Sequence, residues 1–320
     1  MSSSKVLVVG HRGQDGTLIR KSLARQRREV VGLGREGLDY YDAHGRRASF
    51  HPGQKKIRDV VREELPSEIY YLAAEHSSSE GDLSSMLSAS SFARLWETNV
   101  AGFLRMLEAV RIYSPDTHVF YASSSHVFGP GDVRLLSEAS PLEPKSFYGI
   151  TKAEAMWLAD KFRREAGLHV SSGILFNHES PLRGPAFLST KIIQGALQIQ
   201  RGRISEIRIG NLDARADWGH ASDFVEAFQL LVRRDSPGDY VIATGETHSV
   251  REFVSIVFAF LGMDWRDHVR QDHALTGATQ NIEKASPAKL FAETNWRPKL
   301  GFEDFVRHLV LEHRGEVPHE

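Results

Sequence analysis

The chain of 320 residues contains no cysteine. This absence excludes disulfide bonds, thiolate nucleophiles and cysteine-ligated metal sites, and it fits a reducing compartment. Neither sign of charge is in excess, because 40 Lys and Arg residues and 41 Asp and Glu residues give a formal net charge of −1. We therefore expect neither nucleic acid nor an anionic membrane surface as the main partner.

Long apolar runs are also lacking. No stretch approaches the roughly 20 apolar residues that cross a bilayer, and the N-terminus leads through three serines into a short apolar strand instead of a signal peptide. We expect a cytoplasmic protein with no membrane partner. With 41% hydrophobic and 25% charged residues, the composition is that of a globular protein with a substantial core.

Apolar strands alternate with helical periods in the first half of the sequence. The run Lys-Val-Leu-Val-Val at 5–9 is typical of a strand buried on both faces. Further strands are predicted at 29–33, 67–72, 117–122 and 169–176, and helices at 17–26, 92–113 and 148–164. This alternation predicts an α/β fold with a Rossmann-type, doubly wound parallel sheet at 1–176. Residues 177–320, with helices at 221–232, 250–261 and 302–311, are predicted to form a smaller, mostly substrate-binding region, with some segments returning to the first domain.

Three glycines follow the first strand at intervals of three residues, Gly10, Gly13 and Gly16. Without a Cβ atom they permit a tight turn and a close approach of the backbone to a pyrophosphate, whose charge the next helix N-terminus favours. A purely structural turn is the alternative. The residues predicted to bind a dinucleotide here are Gly10, Gly13, Gln14, Asp15 and Gly16, together with Leu72, Ala73 and Ala74 at the end of the strand at 67–72.

The residues after the second strand indicate which dinucleotide binds. That strand leads to Gly34, Arg35 and Glu36, with no acidic residue at its tip. An arginine there favours a 2′-phosphate, so Arg35 predicts NADP, with NAD as the second choice. A solvated surface arginine beside Glu36 is the alternative.

Tyr148 and Lys152 stand one helical turn apart, which places a phenol and an ammonium on one helix face. We expect the cation to lower the pKa of the phenol, which can then move a proton at a sugar hydroxyl. A strand ending in three consecutive serines, 123–125, precedes this helix and can orient the same oxygen. An exposed helix face is the alternative, but the order of glycine turn, hydroxyl strand and Tyr-Lys helix favours catalysis.

Several longer motifs carry a resemblance to a known family. They are Gly-Gln-Asp-Gly at 13–16, Tyr-Gly-Ile-Thr-Lys at 148–152, Gly-Ile-Leu-Phe-Asn-His-Glu-Ser-Pro at 173–181, Gly-Asn-Leu-Asp-Ala at 210–214 and Asp-Trp-Gly-His-Ala at 217–221. On these motifs nearly the whole chain resembles the extended short-chain dehydrogenase/reductases, and in particular the GDP-mannose 4,6-dehydratases. The Asn-His-Glu-Ser-Pro and Asn-Leu-Asp-Ala runs are the more specific, whereas the superfamily shares the glycine turn and the Tyr-Lys pair.

The resemblance implies an NADP-dependent sugar-nucleotide 4,6-dehydratase that transiently oxidises carbon 4 of a nucleoside-diphosphate sugar, with a GDP-sugar favoured, and that forms homodimers or homotetramers. It also implies that Tyr148 and Lys152 are the catalytic pair and that Ser124 takes the hydroxyl position. The substrate-binding residues it implies are Ser125, Asn177, Glu179, Arg183, Lys191 and Arg215. Their polar and charged groups suit a base, sugar hydroxyls and a diphosphate.

Four positions depart from the family pattern. His126 stands where the family has a catalytic glutamate, and the arginine expected before Asp217 is Ala216, with Arg215 one place earlier. The acidic residue expected after the third strand is absent at 50–52, and an arginine–glutamate pattern is missing at 276–281. Because histidine is a competent base near neutral pH, His126 is predicted to remove the carbon 5 proton, with a purely local hydrogen bond as the alternative.

These departures leave three functions open. The first is a 4,6-dehydratase with Ser124, His126, Tyr148 and Lys152 as catalytic residues. The second is a sugar-nucleotide 4-epimerase, dehydrogenase or reductase, which needs no base at carbon 5. The third is a dinucleotide-binding protein without turnover.

No metal site is predicted. The fifteen histidines are scattered along the chain, and His268 with His273 lacks the i, i+4 spacing of a helical ligand pair.

Overall fold

The computed structural model describes residues 5–53, 55–75, 88–129, 135–272 and 284–317, so that 276–281 lies outside the described residues. The strands are β1 (Val6–Val9), β2 (Val30–Gly34), β3 (Gly37–Tyr41), β4 (Arg47–Pro52), β5 (Glu68–Tyr71), β6 (His118–Ala122), β7 (Val170–Leu175), β8 (Asn177–Glu179), β9 (Ile207–Ile209), β10 (Arg215–Ala216), β11 (Trp218–His220), β12 (Asp239–Ile242), β13 (His248–Ser249) and β14 (Val269–Gln271). The helices are α1 (Gln14–Arg25), α2 (Ile57–Glu64), α3 (Ala89–Trp96), α4 (Gly102–Tyr113), α5 (Phe147–Ala166), α6 (Leu188–Gln200), α7 (Ala221–Val232), α8 (Val250–Phe260), α9 (Trp265–His268), α10 (Ala288–Thr294) and α11 (Phe302–Arg314).

An eight-stranded sheet lies at the centre, in the order β12-β7-β6-β5-β1-β2-β3-β4. The six strands from β12 to β2 are parallel, which confirms the Rossmann-type, doubly wound fold. Strands β3 and β4 extend the β2 edge as an antiparallel meander, which the alternation of strands and helices did not predict. Residues 50–52 therefore lie in an edge strand and not after a third parallel strand.

Helices cover both faces of the sheet. One apolar core packs α2, α4 and α5 against it, and the other packs α1 and α7 against the opposite face. Strands enclosed in this way are expected to be apolar on both sides, and no residue of β1 is more than 6% exposed. The predicted strands lie within two residues of the observed ends.

The helix predicted at 92–113 is interrupted. Helix α3 ends at Trp96, a π-helical turn spans Glu97–Ala101, and α4 begins at Gly102. The Tyr71 hydroxyl, at the end of β5, donates to the Thr98 carbonyl at 2.7 Å, and a Cβ on Gly102 would lie 2.6 Å from that hydroxyl oxygen. A side chain inserted into the helical ladder accounts for the widened turn.

Segments from the second half of the chain pack into the core that contains α1 and α7, and also form a third apolar core. Strand β12 pairs with β7 and α7 packs on the sheet, so both segments return to the Rossmann domain. A separate apolar core lies among α6, α8 and α11. Between the two cores, β8 pairs in parallel with β11 and continues from the carboxyl end of β7. A cleft opens there, at the carboxyl ends of the parallel strands, where ligands bind in folds of this kind.

Within the described residues, no helix is both long and apolar enough to cross a membrane.

Candidate active site

The glycine turn is packed tightly against the segment that follows β5. Gly10 has a φ of +87°, and a Cβ there would lie 2.7 Å from the Ala73 backbone nitrogen. A Cβ on Gly16 would lie 2.4 Å from the Gly10 carbonyl oxygen, whereas one on Gly13 would meet that oxygen only at 3.5 Å. Gly13 is the N-cap of α1 and lines the cleft. The backbone N–H groups of the first turn of α1 thus form the kind of surface that binds a pyrophosphate.

Two motifs far apart in the sequence meet on the floor of the cleft. Gln14 donates to the His178 carbonyl at 3.1 Å and accepts from the Ser180 hydroxyl at 2.9 Å. His178 Nδ1 lies 2.8 Å from the Phe176 carbonyl, and Nε2 lies 3.2 Å from both Asp15 carboxylate oxygens. Both ring nitrogens thus face acceptors, and the contact of Nε2 with Asp15 has the geometry of an ion pair. Burial alone would raise the pKa of Asp15, but the charge and hydrogen bond of His178 lower it to about 2.

Tyr148, Lys152 and Ser124 line the cleft together. Helix α5, which carries the first two, is capped at its N-terminus by the side chain of Ser146. The Tyr148 phenol forms a hydrogen bond with Ser124. Lys152 is 2% exposed, donates to the Ala122 carbonyl at 2.7 Å, and has its Nζ 5.6 Å from the centre of the Tyr148 ring.

The structure corrects the expected pKa of Tyr148. Burial raises this pKa to about 12, and the hydrogen bond with Ser124 and the charge of Arg183 offset only part of that effect. Burial also lowers the pKa of Lys152 to about 7, so the amine loses much of the charge that was expected to acidify the phenol. Tyr148 is therefore a neutral phenol at neutral pH, and the phenolate requires additional positive charge nearby.

His126 lies in a short 3₁₀ turn, Ser125–Val127, that follows β6 and lines the cleft. Its ring stands edge-on to that of Tyr148, with the ring centres 5.5 Å apart. Gly149 permits this packing, since a Cβ there would lie 2.4 Å from the His126 carbonyl oxygen. Burial lowers the pKa of His126, so the neutral and basic form of the imidazole predominates at neutral pH.

Three of the residues predicted to bind substrate, Ser125, Asn177 and Arg183, line the cleft. The Arg183 guanidinium lies 4.1 Å from the centre of the Phe187 ring, which also lines it. Glu179 does not reach the cleft. It is buried, and accepts from Arg183 Nε at 3.2 Å and from the Ser189 hydroxyl at 2.6 Å. Its role in this structure is to orient the Arg183 guanidinium.

Lys191 and Arg215 also lie outside the residues that line the cleft. Lys191 is on α6, and Arg215 is on β10, in the region built on the apolar core of α6, α8 and α11. Arg215 donates to the Thr247 carbonyl at 2.5 Å and lies 3.8 Å from the Glu252 carboxylate. The structure therefore gives Arg215 protein partners and no place in the cleft.

Most of the residues predicted to contact the dinucleotide line the cleft, and two of them do not. Lining the cleft are Gly10, Gly13, Gln14, Asp15, Gly16, Leu72, Ala74, Tyr148 and Lys152. Ala73 lies behind Gly10, with its backbone against the turn. Arg35 forms an ion pair with Glu75 and does not line the cleft.

A second cavity, of about 380 Å³, lies against β3 and β4 and reaches Glu36 in the turn after β2, the turn near which the adenosine ribose of a dinucleotide is expected. Its lining residues are Arg12, Glu36, Asp39, Tyr41, Arg47 and Phe50. The Arg12 guanidinium donates to Asp39 at 2.9 Å and also to Glu36. The guanidinium carbons of Arg12 and Arg47 lie 5.7 and 4.6 Å from the centre of the Phe50 ring. Two arginines other than Arg35 therefore face this position.

Sequence reasoning missed Arg12 and His178 as members of the site, and Asn99 as a buried residue that supports it. Arg12 lies inside the glycine motif, where a search for cations beside the glycines could have found it. Asn99 accepts from the Glu75 N–H at 3.0 Å and donates to the Thr151 hydroxyl at 3.0 Å, which ties the segment after β5 to α5. Its position depends on the π turn, for which the sequence offers no local signal.

The chain is similar to known proteins over nearly its whole length. A family model described as GDP-mannose 4,6 dehydratase matches residues 7–309. The GDP-mannose 4,6 dehydratase 1 of Arabidopsis thaliana is 34% identical and is aligned over 96% of this chain and 88% of its own length. The GDP-mannose 4,6 dehydratase of Homo sapiens is 32% identical, with 95% of this chain and 90% of its own length covered.

Solved structures share the fold. The RMD of Pseudomonas aeruginosa complexed with NADPH superposes with a TM-score of 0.79 at 19% identity and covers 98% of this chain and 100% of its own. The UDP-glucose 4-epimerase of Thermotoga maritima with UDP-glucose gives a TM-score of 0.81 at 20% identity, covering 98% and 99% of the two chains. The family model and the relatives above 30% identity decide the family. The chain belongs to the GDP-mannose 4,6-dehydratase family.

Proposed function

We propose that the protein is an NADP-dependent 4,6-dehydratase of a nucleoside-diphosphate sugar, that the substrate is a GDP-sugar, and that His126 is the base at carbon 5. The observation that carries the proposal is the convergence of Ser124, His126 and Tyr148 on one cleft beside the glycine turn. Relatives named GDP-mannose 4,6-dehydratases support the reaction and the nucleotide.

The glycine turn fits a dinucleotide. Gly10 and Gly16 are sites where any Cβ would collide with backbone, so the turn can adopt this shape only with glycine. Gly13 and the start of α1 supply the N–H groups for a pyrophosphate. Arg12 and Arg47, at the cavity beyond β2, supply guanidinium groups that suit a 2′-phosphate, which supports NADP over NAD.

The residues of the cleft manage protons around the sugar. A dinucleotide held by the glycine turn and the start of α1 would supply a hydride acceptor for carbon 4 and a hydride donor for carbon 6. Tyr148, oriented by Ser124, accepts the proton of the carbon 4 hydroxyl, for which it must be in its phenolate form. Protonation of Lys152, whose pKa is about 7, places a cation 5.6 Å from the ring and favours that phenolate.

His126 carries the step that distinguishes a dehydratase. A ketone at carbon 4 acidifies the hydrogen at carbon 5, and the neutral imidazole of His126 accepts that proton. The imidazolium then donates the proton to the hydroxyl that departs from carbon 6, so water leaves and His126 returns to its neutral form. Burial favours this proton transfer away from His126, because it destabilises the charged imidazolium relative to the neutral imidazole. When carbon 6 receives hydride, carbon 5 takes up one proton, which balances the proton that Tyr148 accepted from the carbon 4 hydroxyl.

Mass spectrometry of GDP-mannose incubated with the protein and NADP tests the reaction. Loss of about 18 mass units means dehydration, loss of about 2 means net oxidation, and an isomer of unchanged mass means epimerisation, by the stoichiometry of the hydride route. We expect the first result. Absence of both product and cofactor reduction with every sugar nucleotide offered would support the dinucleotide-binding alternative.

Replacement of His126 by alanine tests the base. We expect H126A to lower dehydration by about 10²–10⁴-fold, the usual contribution of a general base, while partial reduction of NADP by GDP-mannose persists. The matched control is H44A, which removes an exposed histidine in the turn after β3 and should leave both measurements unchanged. Full dehydration by H126A would remove His126 from the mechanism.

We also propose that the protein is an oligomer and that it is cytoplasmic. Exposed apolar side chains on one outer side of the Rossmann domain are Trp96, Leu104, Ile112, Ile150 and Trp157. They lie on α3 and on the adjacent helices α4 and α5, whose other faces pack on the sheet. These helices are proposed to pair with a second copy of the chain, giving a homodimer or a homotetramer built from such dimers. A cytoplasmic location is proposed on the cysteine-free sequence.

A further inference from the structure

Three metal-ligating side chains meet beside the apolar core of α6, α8 and α11, outside the residues that line the cleft. His308 and Glu312 lie one turn apart on α11, and His220 approaches them from the end of β11. Their ligand atoms all lie within 4.8 Å of one another, and His220 Nε2 is 3.0 Å from a Glu312 carboxylate oxygen. The two imidazole rings are nearly perpendicular, with centres 5.5 Å apart.

Two imidazoles and one carboxylate are the protein donors of a common kind of zinc site, in which water completes a tetrahedron. The side chains of His220 and Glu312 are 6% and 1% exposed, and a carboxylate so far from water is stabilised by a cation. His308 is only half-buried, so an ion and its water ligand can enter past it. We infer that His220, His308 and Glu312 bind a divalent transition-metal ion of the zinc type.

The structure also shows what the ion replaces. His220 Nδ1 accepts from the Ser222 N–H at 3.3 Å and so caps α7. In that tautomer the ring proton is on Nε2 and is donated to Glu312. A cation at Nε2 moves the proton to Nδ1, so the cap and the His220–Glu312 hydrogen bond are exchanged for metal–ligand bonds.

The site joins the last helix to the wall of the cleft. Strand β11 pairs with β8 so that His220 lies opposite Glu179, on the strand that also carries Asn177 and His178. A metal held by His220 and by two residues of α11 fixes that helix against this pair of strands. The expected effect is structural, because none of the three ligands reaches the reacting groups of the cleft.

The spacing of these three ligands along the chain is unlike that of a sequence motif for metal binding. The i, i+4 pair on a helix consists of one histidine and one glutamate, and the second histidine lies 92 residues from the glutamate in the sequence. Histidine spacing points elsewhere, because neither His268 with His273 nor His308 with His313 has the i, i+4 spacing of a helical ligand pair. His268 bonds to the Ser205 carbonyl at 2.9 Å, and His273 lies outside the described residues.

Titration of the chelator-treated, untagged full-length protein with Zn²⁺ tests the site. We expect one saturable Zn²⁺ equivalent by calorimetry, a rise in Tm with excess Zn²⁺, and visible absorption typical of four-coordinate Co²⁺ when Co²⁺ is used instead. H308A should weaken Zn²⁺ binding by more than the roughly 10-fold that loss of an outer hydrogen-bond partner costs, and should abolish the Co²⁺ bands.

The control is E303Q, which neutralises an exposed carboxylate of the same helix and should change neither measurement. E312Q provides a second ligand variant, and its near-ultraviolet circular dichroism reports whether it remains folded. The inference is overturned if wild-type protein shows no saturable Zn²⁺ binding, or if H308A binds Zn²⁺ as tightly as E303Q does. These outcomes are independent of dehydratase activity.

Discussion

The amine of Lys152 lies where its charged form is disfavoured. It is 2% exposed, and burial lowers its pKa from 10.5 to about 7. Because the folded-state pKa lies below the unfolded one, folding disfavours the protonated amine. The resulting loss of stability is absent well above pH 10.5, grows as the pH falls toward about 7, and is constant below that value. A group that we propose takes part in catalysis thus destabilises the fold at neutral pH.

Replacement of Lys152 by methionine should separate stability from catalysis. We expect K152M to unfold at higher urea concentration at pH 7, with a gain of about 2 kcal/mol after the lost hydrogen bond to Ala122 is subtracted, and to lose turnover. Most of the gain should disappear by about pH 10, where wild-type Lys152 folds with little penalty. K161M, at an exposed lysine of the same helix, should show a small change at both pH values. A K152M variant that is equally destabilised at both would contradict the burial argument.

Among the elements, the link between α1 and β8 determines the floor of the cleft. The Asp15–His178 ion pair joins the first turn of α1 to β8, and Gln14 adds two hydrogen bonds beside it. The pKa of Asp15 is lowered to about 2 in the folded chain, so the stability it contributes is present above its ordinary 3.8 and is lost as the pH falls through about 2.

A double-mutant cycle over D15N and H178A should measure this link. D15N removes the carboxylate charge beside His178 and H178A removes the imidazole beside Asp15, so we expect a coupling free energy of about 2 kcal/mol at pH 7 from urea unfolding. Both variants should also bind NADP more weakly, since the first turn of α1 is released. The comparison cycle pairs D15N with E303Q, at an exposed carboxylate of α11 whose ion-pair partner is Arg307 and not Asp15. Additive effects of D15N and H178A would contradict the ion pair.

Sequence reasoning predicted the parallel elements because their signal is local. Buried strands are apolar throughout, and residues 5–9 and 169–176 could be placed from that pattern alone. The edge strands β3 and β4 were not predicted, because they form a meander whose strands are not strongly apolar and do not alternate with helices. The π turn at Glu97–Ala101 was not predicted, because it depends on a hydrogen bond from the Tyr71 hydroxyl to Thr98, 27 residues away in the sequence.

The residues of the cleft, like the elements of the fold, were predicted in part. Residues fixed by motif spacing, such as Ser124, Tyr148 and Lys152, do line one cleft. Arg35 and Glu179 do not, since each has an ion-pair partner that the sequence could not reveal. The prediction of a lowered pKa for Tyr148 was wrong because burial raises that pKa, and because the neighbouring amine of Lys152 has itself lost part of its charge. The division of the chain at residue 176 stays a prediction.

For the whole molecule, the outer face of α4 and α5 combines apolar exposure with regular spacing. Ile150 and Trp157, seven residues apart on α5, are 37% and 57% exposed, and Leu104 and Ile112, eight apart on α4, are 36% and 44% exposed. Such spacing places each pair on one helix face. Glu154, between the two residues of α5, accepts from the Trp96 indole at 3.1 Å and so ties the end of α3 to the same surface. A face of this kind is typical of a two-fold interface, in which each copy covers the other.

A charge at the centre of this face should separate the copies. We expect wild-type protein to elute with twice the chain mass or more in size-exclusion chromatography with light scattering, and W157E to shift to the mass of a single chain, because a buried unpaired carboxylate opposes association. The matched control is L230E, at a leucine of α7 that is 37% exposed on the opposite side of the sheet, and it should keep the wild-type mass. A monomeric wild-type protein, or dissociation by L230E and not by W157E, would place the interface elsewhere. If W157E is monomeric and still dehydrates GDP-mannose, each cleft is complete within one chain, as the residues that line it indicate.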